Sequence, residues 1–219
     1  MTGEPLIIAI DGPAASGKGT LARRVAEHFG FEHLDTGKLY RATGLGVIET
    51  GADPADPAAA EKAARNIDFA RLGDPRLLAE DVARAASVVA AIPAVRAALL
   101  EAQRRFAHYP PPPAKGAVLD GRDIGTVVCP DANVKLFLVA SVESRAKRRV
   151  RELRERGVAA IYDAVLQDMR ERDARDSERQ VAPLAAAPDA ITIDTTRLDA
   201  EQVFEQASDL IARHCGLRR

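Results

Sequence analysis

The sequence has 219 residues, of which 47% are hydrophobic and 29% are charged, a balance typical of soluble globular proteins. A chain of this length suits one α/β domain with a sizeable core. Aromatic residues make up only 4%, which favours helices packed on a sheet over an all-β sandwich. The formal net charge of −1 provides no overall field that would attract nucleic acid or a membrane surface.

The N-terminal segment and the cysteines bear on localisation. Residues 1–5 contain no basic cluster, and the apolar run at 6–10 is too short for a signal peptide or a membrane span. The two cysteines, Cys129 and Cys215, have neither metal-ligand spacing nor the pattern of a disulfide framework. We therefore expect two free thiols in a cytoplasmic protein.

Apolar runs alternate with stretches of helical periodicity along the chain. The first, third, fourth and fifth strands of a five-stranded sheet are predicted at 6–10, 117–120, 134–140 and 190–194. Helices are predicted at 18–29, at 37–50, in two or three Ala-rich segments within 58–107, along the charged stretch 143–179, and at 199–214. Strands separated by helices predict an α/β fold, a parallel sheet flanked by helices on both faces.

A glycine-rich turn joins the first predicted strand to the first predicted helix. Glycines allow backbone N–H groups to converge on phosphate oxygens, the helix N-terminus adds a partial positive charge, and Lys18 adds a full one. A purely structural turn is the alternative, but the spacing, the lysine and the flanking elements together favour a phosphate-binding loop. The loop predicted to bind ATP consists of Gly12, Pro13, Ala14, Ala15, Ser16, Gly17, Lys18, Gly19 and Thr20.

The loop departs from the usual P-loop pattern at one position. A Ser or Thr normally follows the lysine and its hydroxyl meets Mg²⁺, whereas here Gly19 follows and Thr20 comes one residue later. A shift of one residue rotates a helical side chain by about 100° and raises it by about 1.5 Å. Direct ligation is therefore not expected, and Thr20 and Asp120 are candidates for holding Mg²⁺ through water. This form of the loop is similar to that of nucleoside monophosphate kinases such as adenylate kinase.

Further segments, in order along nearly the whole chain, resemble bacterial cytidylate kinases. The most specific are the Asp-Gly-Arg-Asp run at 120–123 and the Arg-rich segment 172–179 that precedes Pro183. The other matching segments are 34–37, 40–41, 86–87, 93–96, 130–132 and 194–196. The resemblance implies an ATP-dependent, Mg²⁺-requiring kinase of the P-loop NTPase fold that phosphorylates CMP or dCMP and acts as a monomer.

The resemblance also implies a division of the chain. The core would comprise residues 1–40, 94–150 and 180–219, with a small helical acceptor-binding subdomain at 41–93 and a short lid at 151–179. Bacterial cytidylate kinases usually carry a small β-rich insertion in the acceptor-binding part. The corresponding region here, around 67–81, is short and lacks the period-2 pattern of strands, so we expect the extra sheet to be reduced or absent.

Site residues follow from the same resemblance. Ser87, Arg96 and Asp123 would contact the cytosine edge, because a carboxylate accepts from the amino group while a guanidinium and a hydroxyl donate to N3 and O2. Uracil presents a carbonyl and an N–H instead, so these groups should discriminate against it. Sugar contacts would come from Arg172 and Asp176, and the phosphate clamp from Arg41, Arg122 and Arg179, with Thr36 and Tyr40 nearby. The catalytic groups would be Lys18, Arg122, Arg172 and Arg179.

The spacing of the charged residues gives a partly independent check. Arg172, Arg175, Asp176 and Arg179 are spaced to share one helical face, although a solvated face laced with ion pairs has the same spacing. The arginine run at 145–156 is interpreted mainly as solvating charge, paired with Glu143, Glu152 and Glu155 at i±3 and i±4.

Two other functions remain open at this point. One is a P-loop kinase for another small acceptor, such as AMP, UMP or a shikimate-like metabolite. The other is a regulatory NTPase that hydrolyses without an acceptor, although the guanine-reading motif Asn-Lys-x-Asp does not occur in the sequence. The partners expected are the small molecules ATP and CMP or dCMP, with no nucleic acid and no membrane.

Overall fold

The computed structural model of the chain describes residues 4–217, so the outermost bounds of the predicted core, at 1–3 and 218–219, lie outside it. The described part contains a five-stranded, fully parallel sheet, as predicted. Its strands are β1 (Leu6–Asp11), β2 (Glu32–Asp35), β3 (Gly116–Gly121), β4 (Val134–Val139) and β5 (Ile191–Asp194), in the order β2-β3-β1-β4-β5.

Helices connect the strands and cover both faces of the sheet. They are α1 (Lys18–Phe29), α2 (Thr36–Glu49), α3 (Pro57–Arg65), α4 (Glu80–Val89), α5 (Pro93–His108), α6 (Val142–Glu155), α7 (Tyr162–Glu178) and α8 (Ala200–Cys215). Alternate residues of β1 face opposite sides. Ile8 and Ile10 pack with α1 and α8, whereas Ile7 and Ala9 pack with the side covered by α2, α3 and α5. Two apolar layers therefore hold the sheet rigidly between them.

Three aspartates lie at or next to the carboxyl ends of three neighbouring strands. The parallel register places Asp35 of β2 beside Asp120 of β3, and Asp11 of β1 beside Gly121. The carboxyl ends of parallel strands are where open α/β sheets bind ligands. This edge therefore determines where the functional site lies.

Two predicted elements differ from the structure. The second strand, which the sequence pattern does not locate, is the four-residue edge strand β2, whose polar Glu32 and His33 hide its strand character. The charged stretch predicted to be helical over 143–179 forms two helices, α6 and α7, separated by a turn that the prediction does not locate and in which Gly157 has a φ of 73°. The interruption contains no proline, so the charge pattern alone does not reveal it.

The elements between residues 41 and 93 are helical, as expected. Between α3 and α4 the described chain forms two short 3₁₀ helices, Phe69–Gly73 and Pro75–Leu78, and no strand, which confirms the reduced insertion. Helix α4 packs closely on α2 at Gly44, where an added Cβ would lie 3.0 Å from the Ala85 side chain and would push the two helices slightly apart. This close packing positions Ser87 of α4 next to the edge of the sheet.

Candidate active site

The phosphate loop connects β1 to α1 and depends on two glycines. Gly12 has a φ of 152°, and a Cβ there would lie only 2.4 Å from the carbonyl oxygen of Leu138. Gly17, with a φ of 96°, precedes α1 and offers no side-chain cap. The first N–H groups of α1 therefore lack a capping side chain and are available to an anion.

Lys18 is the first residue of α1 and lines the cleft in front of the loop. The pKa of its ammonium group is lowered from 10.5 to about 7, mainly by burial and also by the neighbouring Arg122, against the opposing effect of Asp120 and Asp35. Its Nζ is 3.4 Å from the carbonyl oxygen of Pro13. A phosphate bound in this cleft would favour the charged ammonium and restore its usual pKa.

Side chains from α6 and from the residue after β5 hold the backbone of the loop. Arg145 donates to the carbonyl oxygen of Ala14 at 3.2 Å, and Arg148 donates to that of Ser16 at 3.4 Å. Thr195 donates its hydroxyl proton to the same Ser16 oxygen at 2.9 Å. Helix α6 and the residue after β5, both distant from the loop in sequence, thus fix its shape.

The prediction that the 145–156 run mainly solvates the helix is wrong for Arg145. Its side chain is only 6% exposed and pairs with Asp173 of α7 at 2.5 Å. The prediction is confirmed for the exposed Arg151, which pairs with Glu155 at i+4. Charge spacing identified the surface pairs but could not show which arginine the fold buries.

The cleft in front of the loop has a volume of about 390 Å³ and extends between α4, α6 and α7. Its lining includes four residues of the predicted ATP loop, namely Ala14, Ala15, Lys18 and Gly19. Thr20 is exposed and does not line the cleft, so the structure gives no support to its predicted contact with Mg²⁺. The Ser16 hydroxyl oxygen is buried without a hydrogen-bond partner.

A second, narrower pocket of about 60 Å³ adjoins this cleft. Residues such as Arg41, Arg122 and Arg172 line both spaces, so the two are contiguous. All ten residues predicted for the acceptor site line the second pocket: Thr36, Tyr40, Arg41, Ser87, Arg96, Arg122, Asp123, Arg172, Asp176 and Arg179. The structure therefore brings together residues from α2, α4, α5, α7 and the turn after β3.

The deep end of the second pocket is organised around a buried ion pair. Arg96 donates to Asp123 at 2.5 Å, and both side chains are less than a tenth exposed. The other Arg96 Nη atom donates to the carbonyl oxygen of Ala90, and the guanidinium lies 5.3 Å from the centre of the Tyr40 ring. These contacts hold the guanidinium donor of Arg96 beside the carboxylate acceptor of Asp123.

Guanidinium groups with unused donors line the rest of this pocket. Arg122 donates from Nε to Asp176 at 2.8 Å, but the Nε of Arg172 and one Nη of Arg179 are buried without any hydrogen-bond partner. Burial lowers the pKa of Arg172 to about 10, and repulsion from Arg122 contributes. Leaving a buried charged donor unpaired costs free energy, which an anion with several oxygens would recover.

The predicted charged face of α7 is directed toward the site. Arg172 and Asp176 line the second pocket, as does Arg179, the first residue after the helix. The exposed Arg175 lines the larger cleft and donates from Nε to the Ser87 hydroxyl oxygen at 3.2 Å. The alternative of a purely solvated face is therefore wrong for this part of the helix.

Comparison with known proteins identifies the family. The family model described as Cytidylate kinase matches residues 8–213. This chain belongs to the cytidylate kinase family. It is 64% identical over 208 residues to the cytidylate kinase of Rhodospirillum rubrum, covering 94% of this chain and 97% of that protein. It is 61% identical over 205 residues to the cytidylate kinase of Paramagnetospirillum magneticum, with the same coverages.

Solved structures with low sequence identity share the fold. One is an uncharacterised protein from Eubacterium ventriosum, with a TM-score of 0.52, 17% identity, and coverage of 97% of this chain and 99% of that one. Another is a gluconokinase from Sinorhizobium meliloti 1021, with a TM-score of 0.50, 15% identity, and coverage of 95% and 93%. At this identity the likeness concerns the cytidylate kinase core architecture alone.

Two carboxylates beside Lys18 offer the oxygen ligands that a divalent metal prefers. Burial and the neighbouring Asp120 raise the pKa of Asp35, which lines the same cleft. His33 lies 2.8 Å from Asp120 and orients it. Residues 4–217 contain no group of three or more His, Cys, Asp or Glu side chains placed to hold a metal. The arrangement fits a cation that keeps several waters and is held mainly by substrate phosphates.

Several residues that shape this cytidylate kinase site are not marked by the motifs in its sequence. Asp35 near the Lys18 ammonium and His33 on Asp120 were not assigned a role, although an aspartate that ends a strand is a usable signal. Asp11 is a second strand-ending aspartate and is also buried. Its partners are backbone N–H groups of a distant turn, which no residue pattern could reveal.

Length and apolar composition determine whether a helix could cross a membrane. Within residues 4–217, no single helix is both long and apolar enough to cross a membrane. Helices α4 and α5 meet the length and composition criteria only when taken together, and they are bent by 98° relative to each other.

Proposed function

We propose that this chain transfers the γ-phosphoryl group of ATP to CMP or dCMP, giving ADP and CDP or dCDP. One observation carries the proposal: guanidinium N–H donors of Arg172 and Arg179 that lack a hydrogen-bond partner face a pocket contiguous with the cleft that holds Lys18. Two sets of positive groups around one continuous space fit two phosphate-bearing molecules placed end to end.

The acceptor base would bind at the deep end of the second pocket. The Asp123 carboxylate would accept from the cytosine amino group, while Arg96 and Ser87 would donate to its N3 and O2 atoms. The pair of Arg96 and Asp123 already presents a donor beside an acceptor. Uracil would set its carbonyl against the carboxylate and leave a buried polar group unpaired, which costs about 1–3 kcal/mol.

The remaining predicted acceptor residues would hold the sugar and the phosphate. Arg172 and Asp176 would contact the sugar, and Arg41, Arg122 and Arg179 would clamp the phosphate, with Thr36 and Tyr40 forming the adjacent wall. Arg122 and Arg172 line both spaces, so they would also contact the oxygens of the group in transit. Guanidinium groups suit this task because they bind phosphate oxygens in a bidentate manner.

Transfer needs no covalent intermediate on the protein. The chain would align the acceptor oxygen with the γ-phosphorus, and Lys18, the loop N–H groups and the arginines would stabilise the charge on the equatorial oxygens. We propose Mg²⁺ as the divalent metal, which supplies additional charge neutralisation on the donor phosphates, with Asp120 and Asp35 contacting its waters. A closed cleft would exclude water, which would otherwise compete as the acceptor.

The division of the chain into a core, an acceptor-binding subdomain at 41–93 and a lid at 151–179 belongs to this proposal. It is supported by the interruption between α6 and α7 and by the helical character of 41–93. We also propose that the enzyme acts as a monomer in the cytoplasm without nucleic acid or membrane partners. That part rests on the family resemblance and on a net charge near zero.

An acceptor panel tests the proposal. Purified enzyme with ATP and Mg²⁺ is offered CMP, dCMP, UMP, AMP and shikimate, and ADP formation is measured. CMP and dCMP should give the highest kcat/KM, with Lys18→Met as the inactive control. Faster turnover of AMP, UMP or shikimate would assign a different acceptor. Equal ADP formation without any acceptor would identify a hydrolase instead.

A further inference from the structure

The turn that follows β3 begins with the two residues that the proposed acceptor site depends on. Arg122 and Asp123 lead directly into a short π-helical turn, Ile124–Val128. Asp123 occupies the N-cap position of this turn, yet its side chain makes no capping hydrogen bond. Its carboxylate is bonded to Arg96 instead. Because helical turns leave their first N–H groups unsatisfied, another acceptor is needed.

Asp11 supplies that acceptor from the end of β1. One carboxylate oxygen accepts from the backbone N–H of Ile124 and the other from that of Gly125, both at 2.8 Å. The Asp11 side chain is buried, and burial raises the pKa of its carboxyl to about 6, although both backbone hydrogen bonds lower it. The cap is thus provided by a residue 113 positions away in sequence.

We propose that Asp11 is a positioning residue of the acceptor site, fixing the turn that carries Arg122 and Asp123 relative to the phosphate loop. Asp11 immediately precedes Gly12, so one residue is rigidly joined to the donor loop and hydrogen-bonded to the acceptor turn. Taking over the cap also leaves the Asp123 carboxylate available for base contact. This inference rests on the proposed function.

The two N–H donors explain why this position holds an aspartate. Ionised Asp offers two acceptor oxygens, whereas Asn offers one oxygen and an NH₂ group that would face the other N–H. Asp11→Asn keeps the size of the side chain and removes one of the two hydrogen bonds. The turn should then shift at its first residue, next to Asp123, while the loop from Gly12 onward keeps its anchors on α6.

Steady-state kinetics test the role. For Asp11→Asn, kcat/KM for CMP should fall about tenfold or more, and the CMP-to-UMP ratio of kcat/KM should fall with it, while KM for ATP stays within about twofold. The control is Asn133→Ala, because the Asn133 side chain accepts from the N–H of Ile7 at the other end of the same strand, at 2.7 Å. It should lower Tm without changing the CMP-to-UMP ratio.

Several outcomes would overturn the inference. A wild-type CMP-to-UMP ratio in Asp11→Asn would do so, as would equal changes in KM for CMP and ATP. If that variant is too unstable to assay, Asp11→Ser is measured in the same way. Rapid hydrogen exchange at the Ile124 and Gly125 amides of the wild-type enzyme would also reject it. If the wild-type enzyme does not phosphorylate CMP, the proposed function itself fails, and that result is seen before any variant is compared.

Discussion

Individual residues in this site carry charges that the free protein does not fully compensate. Burial lowers the pKa of the Lys18 ammonium, and Arg172 and Arg179 each have a buried N–H without a hydrogen-bond partner. Each feature costs free energy in the absence of substrate and is relieved when phosphate binds. The residues therefore favour substrate binding at the expense of the stability of the empty enzyme.

The unpaired donors lead to a prediction about turnover. Arg179→Ala and Arg122→Ala should each lower kcat about 100-fold or more, because a positioned donor to a developing charge contributes about that factor. ATP affinity should change little, since the phosphate loop and Lys18 are retained. The measurements are kcat with CMP and the Kd of an unreactive ATP analogue. Arg170→Ala is the matched control, because Arg170 is an exposed arginine of α7 that lines neither space. Normal turnover with weakened ATP binding would contradict the assignment.

The lowered pKa of Lys18 predicts proton uptake on nucleotide binding. At pH 8 the free enzyme, with a Lys18 pKa of about 7, holds this group mostly neutral, and bound phosphate restores the charged form. Calorimetric titration with an ATP analogue in buffers of different ionisation enthalpy should therefore show uptake at pH 8 and little at pH 6. Lys18→Arg should abolish the effect, because an arginine remains charged. Buffer-independent heats at pH 8 in the wild-type enzyme would contradict it.

The same group also affects stability. Because its pKa is about 7 when folded and 10.5 when unfolded, the unfolded chain binds more protons between these values. The contribution of Lys18 to the free energy of unfolding therefore increases as pH rises through that interval. Below pH 7 both states are charged, and the full cost of burying the ammonium is present.

At the level of elements, the local sequence pattern was sufficient to predict the bounds of an element wherever that element is apolar and bounded by glycine or proline. Helix α1 ends at Phe29 before Gly30, as predicted, and β4 begins at Val134. It was insufficient for β2, a short edge strand with polar residues, and for the interruption after α6. Both depend on tertiary packing rather than on propensity.

The functional site shows the same contrast between features set by local sequence and features set by the fold. The phosphate loop was predictable because it is one contiguous segment whose spacing is set by backbone geometry. The ten acceptor residues are scattered over α2 to α7 and came from family resemblance, although the structure gathers them in one pocket. Arg145 and Asp11 were unpredictable because their partners, the Asp173 carboxylate and backbone groups of distant segments, are brought close only by the fold.

Helix α6 and the residue after it contact both the phosphate loop and the region where α4 begins. Arg149 pairs with Glu80, the first residue of α4, and Arg156 donates to the carbonyl oxygen of Leu78 at 2.6 Å. These contacts join the helix that leads into the proposed lid to the helix that carries Ser87. They should stabilise the arrangement in which both nucleotides are enclosed.

The Arg149–Glu80 contact predicts coupling between the substrates. Arg149→Ala and Glu80→Ala should each reduce the factor by which an ATP analogue tightens CMP binding, by about two- to fivefold, and the double variant should lose no more than either single one. Calorimetric Kd values for CMP with and without the analogue give this factor. Arg151→Ala, which removes an exposed pair with Glu155 on the same helix, is the control. Additive effects in the double variant would argue against a shared contact.

At the scale of the whole molecule, charge is segregated rather than balanced locally. The chain as a whole has a net charge of −1, but the acceptor pocket is lined by five arginines and two aspartates. A cleft with low-dielectric walls and charges of one sign focuses its field outward. The enzyme should therefore attract a nucleotide anion to this opening although its overall charge is slightly repulsive.

This segregation predicts a specific dependence on salt. With ATP saturating, kcat/KM for CMP should fall several-fold between about 0.05 M and 0.5 M ionic strength, because screening shortens the range of the pocket field. Arg41→Ala should flatten this dependence, since Arg41 lines both spaces. Arg213→Glu on α8 makes the net charge more negative but lies on an element that covers the core, and it should leave the slope unchanged. If Arg213→Glu changes the slope as much as Arg41→Ala does, net charge rather than the pocket governs association. The comparison separates the two because Arg213→Glu changes the net charge by two units and Arg41→Ala by one, so an effect of net charge would be larger in Arg213→Glu.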